Sequence, residues 1–246
     1  MLGNFTKQVI LRVLCRVGRV FREQNQTHIT VPVKWCGMEH PKIILIGPPG
    51  SGKGTQGQRI SEHFNIVHIT TGGALRSHID MKTEYGTPGD FMERGELVPD
   101  SVVNRIVEVE IEESEGFVLD GYPRNLNQAK HIETITGIDK IIYLNVEDEE
   151  LIKRLSGRRV CKGCEKNYHV DFNPPNKIGE CDNCRSELVQ RSDDSEDTIL
   201  NRLEVFSQHT KPVLKYFKNR PEFIDINGEG KLEEIWSRIE KIIDTG

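Results

Sequence analysis

From Lys42 onward, short apolar runs alternate with longer stretches of helical period. The runs at 43–46, 66–69, 117–119, 140–145 and 223–226 predict five strands. The first, third and fourth are largely continuous in their apolar character, as strands covered on both faces are. Between and after them, the spacing predicts helices over 53–64, 100–113, 125–135, 148–156, 196–218 (kinked near Pro212) and 231–243. Strand followed by helix, repeated, implies α/β architecture built from βαβ units around a parallel sheet. Residues 158–193 break the alternation; they are rich in Cys, Asn, Pro and Gly and predict a small insert. Residues 8–22 carry a different pattern, with Val9, Ile10, Val13, Leu14, Val17, Val20 and Phe21 on one helical face and Arg12, Arg16 and Arg19 on the other.

Composition changes this picture in three places. The net charge of −5 divides unevenly, because residues 1–40 hold six basic side chains against two acidic ones, or +4, which leaves −9 for the rest. An acidic body of that kind argues against nucleic-acid binding through counterion release. The arginine-rich, acid-poor start has the character of a targeting segment, so a mitochondrial or other organellar location is expected, and a cytoplasmic one without it. Residues 1–40 contain no serine, which leaves a docked surface helix as the alternative. No apolar run reaches the roughly 18 residues that a membrane-spanning helix needs, so no stable membrane insertion is expected.

The chemistry begins at Gly47-Pro-Pro-Gly-Ser-Gly-Lys-Gly-Thr-Gln56, which follows an apolar strand and opens a helix. That context makes it a phosphate-binding loop. Gly50 and Gly52 let the backbone bend so that successive N–H groups, from Ser51 to Thr55, face phosphate oxygens, and the helix adds its positive end. Lys53 reaches the terminal phosphates. The residue after the lysine is Gly54, and the hydroxyl is delayed to Thr55.

Gly-Lys-Gly-Thr-Gln resembles the loop of the adenylate kinase family, and the resemblance runs from about residue 42 to 243 with later motifs in family order. It implies a P-loop fold with a five-stranded parallel sheet formed by 41–157 and 194–246. A monophosphate-binding insert over 70–99, a zinc-containing lid over 158–193 and an extension over 1–40 complete the expected organisation. It also implies reversible phosphoryl transfer from magnesium-bound ATP to AMP, giving two ADP, by a monomer; GTP as donor, or a nucleotide sensor of weak turnover, are the alternatives. On the same resemblance, Thr71, Arg76, Glu96, Leu97, Val98, Gly121, Tyr122, Pro123, Arg124 and Gln128 hold AMP, and Arg154, Arg158, Tyr168 and Gly230 join the loop in holding ATP. Asp120 ends an apolar strand beside the loop and is expected to hold the water shell of Mg²⁺. Lys53, Arg124, Arg158, Arg191 and Arg202 are the expected catalytic cations, Arg191 and Arg202 also meeting AMP. The family usually has Asp after Thr-Gly; here that residue is Gly73.

Cys161, Cys164, Cys181 and Cys184 form two Cys-x-x-Cys pairs separated by 16 residues, a spacing that suits tetrahedral structural zinc in a segment too small to bury a core. Basic and acidic residues balance across 159–190, so a zinc-ribbon nucleic-acid module is not expected.

Overall fold

The computed structural model describes residues 40–243. The amphipathic stretch at 8–22, and the targeting expectation drawn from it, lie outside the described residues. In chain order the elements are β1 (Lys42–Ile46), α1 (Lys53–Phe64), β2 (Val67–Thr70), α2 (Thr71–Ser77), α3 (Pro88–Glu93), α4 (Asp100–Glu112), β3 (Phe117–Asp120), α5 (Leu126–Ile135), β4 (Lys140–Asn145) and α6 (Asp148–Ser156). There follow β5 (Arg158–Cys161), β6 (Asn167–His169), β7 (Leu188–Val189), α7 (Glu196–Val205), α8 (Lys211–Phe217), β8 (Phe223–Asn227) and α9 (Leu232–Ile243).

The five predicted strands form one sheet in the order β2-β3-β1-β4-β8, and every pair is parallel. Alternate residues of β1 point to opposite faces, and both faces are covered. Ile43 and Leu45 pack with Ile60, Val118, Ile142, Ile235 and Ile239 on one side. Ile44 and Ile46 pack with Val107, Leu119, Ile132 and Phe217 on the other. The polar loops leaving the C-terminal ends of β1 and β3 lie side by side at the sheet's centre, where parallel α/β sheets hold their ligands.

Two features depart from the sequence expectation, and a third gives the kink expected near Pro212 its form. The segment 70–99 contains α2 and α3, helices too short to display a period; α3 is fixed by a capping box between Thr87 and Asp90 and by Pro88 in its first turn. The insert carries its own antiparallel sheet, in the order β6-β5-β7. The helix expected over 196–218 is interrupted by a π-turn at Phe206–Thr210, immediately before Pro212. Proline lacks an N–H and crowds the preceding turn, and a wider turn accommodates both.

Gly116 shows how tightly the sheet's start is sewn. A Cβ there would lie 2.6 Å from the carbonyl carbon of His40, a backbone atom that cannot rotate aside. Gly116→Ala is therefore expected to lower stability by about 1–3 kcal/mol, read as a shift in urea midpoint; an unchanged midpoint would show that the strand ends are loosely held.

Candidate active site

The chain leaves β1 at Ile46 and turns through Gly47–Gly52 into α1. Gly50 and Gly52 have φ of 85° and 92°, values that disfavour side chains, and the Gly52 carbonyl accepts the first helical bond from Gln56 at 3.0 Å. Ser51 is fully buried within the turn. Lys53 Nζ donates to the carbonyls of Gly47 at 2.8 Å and Pro48 at 2.9 Å. Burial pulls its pKa down to about 8, against the opposing pull of Asp120 and with help from Arg124, Arg202 and Arg158. Asp120 ends β3, in register with Leu45 and Thr70 on the flanking strands. A Cβ on Gly54 would stand 3.5 Å from Asp120 Oδ2, so a glycine at this position keeps open the space between helix start and carboxylate.

A pocket beside this loop gathers Thr71, Arg76, Glu96, Leu97, Val98, Gly121, Arg124, Gln128 and Arg202, together with Leu75, Met92 and Val103. Thr71 Oγ1 donates to the Gly121 carbonyl at 3.0 Å, tying the start of α2 to the turn after β3. That turn holds Arg124, whose Nε donates to the Gly121 carbonyl at 2.7 Å. A second cleft, lined by Gly47, Pro49 and Lys53, shares Gly95, Leu97, Gly121, Arg124 and Arg202 with the first. The two clefts thus meet at a pair of guanidinium groups.

Two expected acceptor contacts fall elsewhere. Tyr122 is fully buried and its hydroxyl donates to Asn104 Oδ1 at 2.8 Å, so its side chain faces the core rather than the pocket. Pro123 lines the cleft on the Lys53 side. Tyr168, expected beside the donor nucleotide, is 4% exposed and packs with Cys161, Cys181 and Leu188; its hydroxyl meets Cys181 Sγ at 3.4 Å and accepts the Asp182 N–H at 2.9 Å. Its side chain is a core element of the insert.

The remaining arginines are held by specific partners. Asp194, almost wholly buried, accepts both nitrogens of Arg158 and takes Arg202 Nη1 at 3.0 Å. Arg202 also reaches the Asp193 carbonyl, at 2.9 Å. Arg191 donates to Asn167 Oδ1 at 3.0 Å, and Arg154 donates to Glu150 at 2.9 Å and to the Gly228 carbonyl at 3.0 Å. Gly230, with φ of 103°, forms the turn after β8 near that carbonyl. Burial first, and then neighbouring cations, hold Arg124 below the ordinary arginine value and push Arg191 down to about 10. Lys53 and the arginines therefore outweigh Asp120, Asp193 and Asp194, and such a field suits a polyanion.

The adenylate kinase family model matches residues 45–222, a span that includes the loop, both clefts and the lid. The chain belongs to the adenylate kinase family. It is 49% identical over 212 residues to the adenylate kinase of Haloarcula marismortui, covering 84% of this chain and 98% of that protein. The corresponding enzyme of Halobacterium salinarum is 44% identical over 214 residues, with the same coverages. That of Caldanaerobacter subterraneus is 41% identical over 211 residues, 82% of this chain and 96% of the other. This kinase is accordingly a phosphotransferase of the nucleoside monophosphate kinase class. These relatives are archaeal and bacterial, and they give the organellar expectation no support.

Gly73, where the family resemblance leads one to expect Asp, lies against Thr70. A Cβ there would collide with Thr70 Oγ1, so the Thr70 hydroxyl occupies the space that a side chain at 73 would enter. Sequence reasoning missed three polar groups at the site. His68 stands with Nε2 4.0 Å from Asp120 Oδ2, Thr210 Oγ1 donates to the Arg124 carbonyl at 2.8 Å, and Asp100 accepts from Gln128. His68 reaches its place through strand pairing, which no local spacing reveals. Thr210, just before Lys-Pro in a helical stretch, carried a signal: a hydroxyl beside a helix interruption.

The depressed Lys53 value has a testable consequence. The folded state binds fewer protons than the unfolded one between pH 8 and 10.5, so stability rises with pH through that window. Relative to Lys53→Met, which has nothing to titrate there, the wild type should gain on the order of 2 kcal/mol between pH 7 and pH 10.5. Urea unfolding of both proteins across that range checks it; a constant difference would mean that the amine is not desolvated.

Proposed function

We propose that the kinase transfers the γ-phosphoryl group of magnesium-bound ATP to AMP, reversibly, giving two molecules of ADP. The observation that carries this reading is the shared wall of the two clefts, where Gly121, Arg124 and Arg202 border both the Lys53 side and the pocket holding Thr71, Arg76 and Gln128. Phosphates held on either side face each other across the same cations. An oxygen of the acceptor phosphate forms the new bond to the γ-phosphorus as the bond to the β,γ-bridging oxygen breaks. Little covalent help is needed from the protein; charge on the transferred group must be neutralised and the two partners aligned.

Lys53 and the N–H groups of the loop hold the donor phosphates, Arg76 and Arg124 hold the acceptor phosphate, and Arg158, Arg191 and Arg202 neutralise the group in flight. Residues 158–193 act as a lid that excludes water and so suppresses hydrolysis. Arg154, held by the Gly228 carbonyl, and Gly230 border the donor. Asp120 fits a role at magnesium: it is a carboxylate at a strand end, open toward Gly54, and would hold the ion through its waters. When bound, magnesium would reduce the charge on the donor phosphates.

The lid cysteines fit zinc. Their four sulfurs lie within 4.8 Å of one another, with Cys161 and Cys184 at 3.3 Å and Cys164 and Cys181 at 3.6 Å. Tetrahedral zinc with bonds of about 2.3 Å places its sulfurs about 3.8 Å apart. The Tyr168 hydroxyl and the N–H groups of Cys184 and Asn183 approach Cys181 Sγ, where they would stabilise negative charge on a ligating sulfur. Four thiolates leave no position for substrate, so the metal would order the lid without entering the chemistry.

Incubation of the kinase with AMP and magnesium-ATP should yield ADP in equal molar share from both, followed by ³¹P NMR. Lys53→Met should lower kcat by about 100-fold or more while keeping the fold. Near-normal turnover in that variant would remove Lys53 from the mechanism, and ATP, GTP and ITP compared as donors decide the donor base. For the lid, metal analysis should return close to one zinc per chain, and Cys161→Ser with Cys164→Ser should lower the melting temperature yet leave nucleotide binding intact. Four titratable free thiols with no metal would refute the zinc assignment.

A further inference from the structure

Gln128 lines the acceptor pocket and is 2% exposed. Its side-chain amide is engaged at both ends by groups that cannot exchange roles. Oε1 accepts the backbone N–H of Arg124 at 2.8 Å, and that N–H can only donate. Nε2 donates to Asp100 Oδ1 at 2.7 Å, and a carboxylate can only accept. Asp100 is itself held, because the same Oδ1 accepts Asn125 Nδ2 at 2.8 Å while Asn125 Oδ1 caps α5 through the Gln128 N–H at 2.9 Å. Turning the amide by 180° would set N–H against N–H at Arg124 and oxygen against oxygen at Asp100. The amide therefore has one orientation. An amide oxygen has two lone pairs and an amide nitrogen two hydrogens, so one acceptor and one donor remain, in a fixed order.

We infer that Asp100 is a specificity-determining residue: by locking the Gln128 amide it selects a 6-aminopurine monophosphate and repels a 6-oxopurine monophosphate. The inference deepens the proposed function: it rests on AMP occupying the pocket that Gln128 lines, with its base against the Gln128 amide. Adenine offers a donor at N6 and an acceptor at N1; hypoxanthine and guanine offer an acceptor at O6 and a donor at N1. A freely turning glutamine amide would satisfy either edge. A locked one matches the first and opposes the second at both atoms, which discriminates by repulsion as well as by attraction.

The test uses the whole chain with AMP, purine riboside 5′-monophosphate, which keeps N1 but lacks the 6-substituent, and IMP, which reverses the pattern. For the wild type, kcat/KM should fall about tenfold from AMP to the purine analogue, the value of one lost hydrogen bond, and about 1000-fold or more from AMP to IMP. Asp100→Asn can meet the amide in either orientation and removes half of the lock, so the AMP-to-IMP ratio should narrow by about tenfold or more. A merely structural role would lower all three substrates together. Equal use of IMP and the purine analogue by the wild type overturns the inference, and so does an unchanged ratio in a folded Asp100→Asn variant. If that variant does not fold, the wild-type series decides alone. A wild type that phosphorylates another monophosphate but not AMP overturns the underlying reading, an outcome distinct from the other two.

Discussion

Gathering Lys53, Arg124 and Arg202 around two adjoining clefts sets desolvation and mutual repulsion against folding, and both are visible in the lowered proton affinities of all three. The sheet and its helices must supply enough buried apolar surface to tolerate that crowd. They do so with a five-stranded sheet covered on both faces, whose central strand is almost wholly apolar. Local counter-charges relieve the rest. Asp194 neutralises two arginines from different elements, Arg158 on β5 and Arg202 on α7, and so holds lid and core together through a buried carboxylate. Uncompensated, either arginine would be far more costly than a surface ion pair lost to solvent.

Much of this was legible in the sequence where the determinants are local. The loop at 47–56 declares itself because phosphate binding needs a particular backbone path, and that path needs glycines at fixed positions. Parallel pairing followed from the alternation of strands and helices, and from strands whose apolar character reports burial on both faces; the strand order, set by crossovers between distant segments, did not. The four-cysteine cluster of the insert was legible because two Cys-x-x-Cys pairs separated by 16 residues can meet at one centre. Element identity failed where elements are too short for a period to appear: α2, α3 and the lid strands of two to four residues.

Side-chain direction was the other limit. Tyr168 and Tyr122 sit in segments that border the clefts, yet each turns its ring into a core, and nothing in linear spacing distinguishes the two faces of such a short segment. Asp100, His68 and Thr210 illustrate the converse. Each lies far along the chain from the group it supports, and only the packing of separate elements brings them together. The lock on Gln128 is a case in which specificity belongs to a partner behind the residue that faces the ligand.

The π-turn at Phe206–Thr210 carries a consequence for how the chain can vary. One additional residue in a helical turn rotates everything downstream by about 100° relative to an uninterrupted α-helix. Upstream of the turn, Arg202 is aimed at the clefts; downstream, Val213 and Phe217 are aimed into the core. The two faces are in different phases of the same helix, and the extra residue is the phase correction. Removing a single residue from 206–210 would leave a smoother helix and rotate Val213 and Phe217 toward solvent, so the most regular version of this segment is one the fold cannot use.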